Sequence, residues 1–482
     1  MVLADYQLAL KLETQDGIEN APSASNVLTT VEEPTISPDV AQSDARPAAG
    51  THALNRSISG RAEASIAAAV YLVGSRDAGA ITPPQDALLQ ACGLEKTSLA
   101  LHYVTVDAQV GVFVKGETVT WGGIDEGVVM NYAIPRSGTS VLVLDVTGTP
   151  PVDDDALVGG TSAATANANG NAVARTAYLY TPVSRTTVLI SATHSTWASI
   201  AAAEGDVLQA CNTTASAATT GWNSASARIV SVSGSGTTRT FECEMLHGTF
   251  VVGGRVTYYD VSLAALYGAG GTAPAVSVLA SGSGPTATVH MATSGILTKV
   301  LGVRGTFGMS GQAGGEVRIN ADLRGQYNRP VNGSLFSGVT YIGTENVPRL
   351  ELAACTIDGY PFPTQTLEYA HNGTLTARID LHKANGVGSV RRTGRDPTMT
   401  IDPLMPVPAV YDMVGKQLDN QQVVVHAQVG YAAANMFVFE IPNGQLTQVG
   451  MGERDGEVVA NVECKGRVVS GQDDQDFRLY AL

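Results

Sequence analysis

The sequence predicts a mainly β protein with one short flanking helix and two small β units inserted into a larger host domain. Three observations carry this. Short β-branched or alternating runs, bounded by Gly, Pro, Asn or Asp, recur along the whole chain. Only one segment has well-placed helix start and stop signals. Two stretches in the middle pass through the same succession of short motifs.

The strand runs are Val70 to Val73, Thr187 to Ala192, Val317 to Leu323, Thr374 to Leu381, Gln422 to Val429, Met436 to Ile441 and Val458 to Val462. Residues 317–323 alternate apolar and polar side chains, so one face is expected to be buried and the other solvated. Gly314-Gly315 then closes a hairpin with the run that ends at Met309. In the helix, Thr82 serves as cap, Pro83 and Pro84 suit the first turn and Gly93 ends it. Leu88, Leu89 and Cys92 share its buried face. A weaker helix covers about 409–418.

The repeated stretches are 115–170 and 204–291. The first runs from Lys115-Gly116-Glu117-Thr118-Val119 through Gly127-Val128-Val129 and Val141 to Leu144, then Gly148-Thr149 and Val158-Gly159-Gly160. The second runs from Glu204-Gly205-Asp206-Val207-Leu208 through Ala227 to Val230 and Phe241 to Glu244, then Gly248-Thr249 and Val252-Gly253-Gly254. Each is expected to form a small β-barrel or sandwich. The domain reading is a host domain at 1–98, 173–196 and 295–482, with inserted β domains at 99–172 and 197–294.

Charged residues make up 15% of the 482-residue chain, which favours self-association over a solitary, well-solvated monomer. The formal charge is 29 − 44 = −15. Without a basic stripe the chain cannot grip a nucleic-acid backbone. The five cysteines have no CxxC spacing, so buried free thiols in a reducing cytoplasm are expected. The first residues lack a signal-peptide pattern, and no apolar window reaches the roughly 18 residues of a spanning helix, so no membrane partner is expected.

A search for chemistry ends without a catalytic constellation, a cofactor cradle or a metal site. Gly308-Met309-Ser310-Gly311-Gln312 lacks the final glycine of a nucleophile elbow. Gly268-Ala269-Gly270-Gly271 lacks the third glycine of a dinucleotide loop. Asp153-Asp154-Asp155 offers hard oxygen ligands without EF-hand spacing, and reads as a turn. Glu242 and Glu244 read as a solvated strand face, not a glycosidase pair. His371, His382 and His426 read as surface or hydrogen-bonded core residues. Trp197 and Tyr258-Tyr259 read as sheet aromatics, with a sugar platform as the competing reading.

With the inserts removed, the remaining chain resembles the major tail tube proteins of long-tailed, siphophage-like bacteriophages. The resemblance rests on the order of several motifs. These are Glu13-Thr14-Gln15-Asp16-Gly17, Ala21-Pro22-Ser23, Tyr71-Leu72-Val73-Gly74-Ser75, the helix Asp86 to Leu94, Tyr180-Thr181-Pro182-Val183-Ser184, Val303-Arg304-Gly305-Thr306-Phe307, Ala313-Gly314-Gly315-Glu316 and Leu323-Arg324-Gly325-Gln326-Tyr327.

It implies a tail-tube-type β-sandwich with six protomers per ring, rings stacked into a hollow tube, and sheets completed across protomers. A polar loop at about 39–60, with Asp39, Asp44, Arg46 and Arg56, is then the ring-stacking element. Asp322, Asp380 and Glu440 are the acidic candidates for the DNA-conducting bore. Implied partners are tape measure, tail terminator and baseplate proteins, with DNA passing through unbound. The implied location is the virion tail, assembled in the host cytoplasm. The inserts are expected to decorate the exterior, with weak glycan contact. An adhesin or a capsid decoration protein with glycan-binding inserts is the alternative reading.

Overall fold

The computed structural model describes residues 6–14, 17–43, 58–74, 83–135, 139–182, 187–193, 207–211, 222–233, 238–248, 255–260, 265–267, 275–281, 284–339, 341, 347–350, 354–379, 386–468 and 476–482. The chain is mainly β, and among the described residues the ladders between strands are antiparallel. It opens with β1 (Tyr6–Leu12), then the long hairpin β2 (Thr35–Ser43) and β3 (Ile58–Tyr71), and then α1 (Asp86–Ala91). Next come β4 (Leu94–Val110), β5 (Thr118–Trp121), β6 (Asp125–Val129), β7 (Ser140–Thr147), β8 (Ala156–Gly159), β9 (Thr165–Ala168) and β10 (Val173–Pro182). A separate sheet holds β11 (Thr187–Thr193), β12 (Val207–Cys211), β13 (Trp222–Ser233), β14 (Thr238–Gly248), β15 (Arg255–Asp260), β16 (Ala265–Tyr267) and β17 (Ala275–Ser281).

The chain then returns with β18 (Ala287–Thr293), β19 (Ile296–Gln312), β20 (Arg318–Tyr327) and β21 (Val331–Asn332). The last part has β22 (Cys355–Ile357), β23 (Tyr360–Pro361), β24 (Thr364–Ala370), β25 (Thr374–Ile379), β26 (Val387–Gly394) and β27 (Thr398–Pro403). After α2 (Met413–Leu418) it ends with β28 (Gln422–Ala432), β29 (Asn435–Arg454), β30 (Glu457–Gly466) and β31 (Arg478–Ala481). Two compact units result: 1–182 with 285–482, and 183–284.

Within the larger unit one arrangement occurs twice. Module 1 pairs its strands in the order β2-β3-β20-β19-β18-β1. Module 2 repeats it as β24-β27-β30-β29-β28-β22. In each, a hairpin precedes a short helix, and a three-stranded meander follows. The sequence echoes this. Gly315-Glu316-Val317, Asn320 and Gly325 in module 1 stand where Gly456-Glu457-Val458, Asn461 and Gly466 stand in module 2. Both terminal glycines are sterically required: a Cβ would meet Leu301 O at 2.8 Å from Gly325, and Pro397 Cγ at 3.0 Å from Gly466. One apolar core spans both modules, from Leu8 and Leu10 through Ile319 and Phe307 to Phe437 and Leu479.

The helix forms where the prolines and Gly93 place it. Its Leu88, Leu89 and Ala91 are buried, as is Cys92, and Gly93 ends it at φ 97°. Thr82 lies outside the described residues. Gln85 holds the cap position, and its side chain donates to Val73 O at 3.0 Å. The second helix is shorter than expected. Residues 408–410, beginning with Pro408, form a turn, and Asp412 caps the helix by accepting from Gly415 N at 2.7 Å. The hairpin at Gly314-Gly315 forms between β19 and β20, and Ile319, Ala321 and Leu323 point inward as their alternation predicts.

The first repeated stretch is a Greek-key barrel that closes on itself in the order β4-β7-β6-β5-β8-β9-β4. Val104, Val106, Phe113, Trp121, Leu142 and Leu157 fill it. Unit 183–284 follows the same order, β11-β14-β13-β12-β15-β16, with β17 on the other side of β11 as β10 lies on the other side of β4. The boundaries differ from the sequence reading. The first barrel shares β4 with the body of unit 1. The second unit takes in β11, which the sequence reading places in the host. It excludes β18, which pairs with β1.

Candidate assembly surface

Because β19 pairs with β24, the modules fuse into one sheet, β2-β3-β20-β19-β24-β27-β30-β29. Its rows run straight across the module boundary. Val70, Ile319, Met309, Tyr369, Met399, Cys464 and Leu446 lie side by side and are all buried. The next row, Tyr71, Arg318, Ser310, Glu368, Thr400, Glu463 and Gln448, points the other way and is polar apart from its Tyr71 end. Beside that row, Thr35, Ser37, Ser65, Ala67, Asp322 and Arg324 line a shallow open groove with Gly373 and Leu375. The solvent face is therefore made of small and polar side chains, with Asp322 and Glu368 exposed on it.

The sheet ends on incomplete strands. Among the described residues β2 pairs along one side only, with β3, and the last part of β29, from Gln448 to Arg454, pairs only with β30. Unpaired edges expose backbone N–H and C=O groups that a further strand can satisfy. Near the β29 edge Met451 is 68% and Val458 55% exposed. Their counterparts in module 1, Met309 and Val317, are 3% and 1% exposed.

Of the expected site residues, Asp39 lies exposed on β2 and Asp322 on the solvent face. Asp44, Arg46, Arg56 and Asp380 lie outside the described residues. Glu440 overturns its expectation as a bore residue, because it is buried. The first half of β29 is covered on both faces. Phe437, Phe439 and Ile441 face the shared core, while Met436 and Val438 pack with Leu101, Tyr103, Val143 and Tyr480 at the base of the first barrel.

Glu440 sits in that second contact. Its carboxylate meets Lys115 Nζ at 2.5 Å and Arg478 Nη1 at 3.1 Å, with His426 Nε2 at 3.6 Å. Burial opposes its charge, but the hydrogen bonds and charges of His426 and Lys115 outweigh this and hold the carboxyl far below the usual range. Tyr132 extends the network, its OH lying 3.1 Å from His426 Nδ1 and 2.9 Å from Thr356 Oγ1. Gln428 accepts from Tyr132 N at 2.7 Å and donates to Tyr132 O at 3.2 Å. These groups weld the barrel to module 2. A solvent-lined DNA path does not include them.

The remaining motifs resolve into structure. Glu13, in the first family-like motif, is a buried carboxylate. It accepts from Gly17 N, Thr286 Oγ1, Thr288 Oγ1 and Gly302 N at 2.7, 2.6, 2.9 and 2.8 Å. Asp153 and Asp155 accept from Gly170 N and Val152 N, which makes the acidic triplet a turn. His371 is buried beside the Tyr369 hydroxyl at 3.0 Å. Burial, with Arg392 and Arg395 nearby, pushes its pKa well below the ordinary value. Cys92, Cys355 and Cys464 are buried free thiols. Among the described residues no cluster suits a metal ion, and no helix is long and apolar enough to cross a membrane. His382 and Trp197, and the side chains of Glu242, Glu244, Tyr258 and Tyr259, lie outside the described residues.

The signal that sequence reading missed was the module repeat. Its Gly-Glu-Val and Asn positions at 315–325 and 456–466 were legible, and they mark the two hairpins whose surroundings differ. Compared with known proteins, the chain matches no family model and no curated protein.

Proposed function

We propose that the chain is a non-enzymatic structural subunit of a long-tailed bacteriophage, the major protein of its tail tube. Copies join edge to edge into rings, and the rings stack into a hollow virion tail that conducts DNA during ejection. The observation that carries this reading is one continuous two-module sheet whose strand at each end is, among the described residues, open along one side, with a small-residue polar face. Edge strands of this length invite aggregation unless a partner completes them. A net charge of −15 without a basic stripe lets DNA slide, because phosphates find few cations to hold them. Tape measure, tail terminator and baseplate proteins are the partners that follow. The first barrel and unit 183–284 decorate the exterior. Negative-stain electron microscopy of the purified protein tests the reading. Rings or tubes with an open centre are expected; solitary particles at high protein concentration would end it, and closed shells would point to a capsid role.

A further inference from the structure

We infer that the strand completing β29 is β2 of a second copy of this chain, and that three such copies, each supplying two modules, close the ring. The three-copy count rests on the tail-tube reading, whose ring has six positions; the edge pairing rests on the fold alone.

The joint already exists once inside the chain. The last part of β19 pairs with β20 on one side and takes β24, the edge strand of the next module, on the other. The last part of β29 pairs with β30 in the same way, and its other side is open among the described residues. The strand matching β24 is β2, and its outer side is open as well. Each free edge thus has the form that its counterpart binds. The side chains agree. Met309 is buried where Tyr369 of β24 lies against it, and Met451 is exposed at the matching place. Val317 is buried under the segment entering module 2, where Leu350 N donates to Gly315 O at 2.8 Å, while Val458 is exposed.

The register follows from the internal one. Ala321 pairs with Ala68 and Val462 with Ile401, so Ala68 and Ile401 match. Ile66 and Met399, two residues earlier, match too, and their outer partners are Ile36 and Tyr369. Met309 faces Tyr369 and Gly308 faces Ala370, so Met451 faces Ile36 of the next copy and Gly450 faces its Ser37. Pro38 stands at the place of His371, whose N–H bonds Phe307 O at 2.9 Å; that one bond is missing from the joint between copies. A proline there also discourages strands of other register from adding.

The arm of module 2 supports the same joint. The hairpin β25–β26 lies on module 1, with Arg392 donating to Ala91 O at 3.2 Å and to Gly305 O at 3.1 Å. Head-to-tail contacts of this kind close into rings when the rotation allows. The covalent pair of modules then alternates with a non-covalent pair around the ring.

Cysteine pairing tests this. Ser37 is exposed, and a Cβ at Gly450 meets nothing closer than 3.8 Å, so Ser37→Cys with Gly450→Cys leaves the protomer undisturbed. On oxidation of assembled protein, with wild type and Ser37→Cys/Glu453→Cys as controls, a non-reducing gel is expected to show a ladder that stops at three chains. Class averages of single rings are expected to show threefold symmetry. A ladder running on to six chains or beyond overturns the three-copy ring. Rings or tubes that form without any cross-link overturn the β29–β2 joint and leave the tail-tube reading standing. Monomers with neither cross-link nor rings overturn both. Met451→Asp provides a second readout: ring formation is lost while the thermal midpoint of the isolated chain is unchanged, and rings that persist count against the joint.

Discussion

Glu440 shows how a residue can be misplaced by strand alternation alone. Met436 to Ile441 was legible as a strand, and an acidic side chain in such a run belongs by default to the solvent face. What sequence could not show is that a barrel distant in the chain covers that face, with Lys115 supplying the counter-charge over a separation of 325 positions. A buried carboxylate without its cations is strongly destabilising, and so are the cations without the carboxylate. Glu440→Gln is therefore expected to cost about 3 kcal/mol, read as a lower denaturant midpoint. The pH dependence has a definite sign. The folded-state pKa is depressed, so the stabilisation is fully present above the unfolded value of about 4.3 and is lost as pH falls through the folded value. Acid unfolding curves should show wild type and Glu440→Gln converging below pH ~4; a constant gap there would mean that the charge is not what holds the dock.

At the scale of elements, the short helix and the inner strands were legible because local signals agree with tertiary placement. Pro83, Pro84 and Gly93 bracket α1, and Leu88 and Leu89 find the core. The long strands were less legible. β29 runs from Asn435 to Arg454, but Pro442, Gly444, Gly450 and Gly452 interrupt its pattern, and only 436–441 read as strand. Those glycines answer to close packing. At Gly444 a Cβ would press on Cys464 Sγ and approach Val423 O at 3.1 Å. Gly305 is similar on β19, where a Cβ would meet Leu323, Asp322 O at 2.9 Å and Cys92 Sγ at 3.0 Å. Gly305→Ala is expected to push the end of α1 off the sheet and cost about 1–3 kcal/mol. Urea unfolding with an unchanged slope and a lower midpoint would establish this; an unaltered midpoint would show that the helix end yields freely.

For the whole molecule, repetition is the organising fact, and it occurs at two levels. The barrel repeat was visible as parallel motifs, because the same short glycine-bearing runs recur in the same order. The module repeat was hidden because the first barrel, β10 and unit 183–284 separate α1 from the meander that belongs to it. Unit 183–284 pairs its strands only with one another among the described residues. Replacing it with a short Gly-Ser linker between Pro182 and Pro285 should leave the thermal midpoint of the larger unit and its ring formation intact; loss of rings would mean that the unit takes part in assembly. The first barrel is built differently, and β4 is the reason. Its first ten residues lie against β10, which in turn lies against β31, and its remainder forms a wall of the barrel. A strand shared in this way has no hinge. Any sideways load on the barrel passes as torque along β4 to the C-terminal strand and the core, so the barrel must move with the sheet it is woven into.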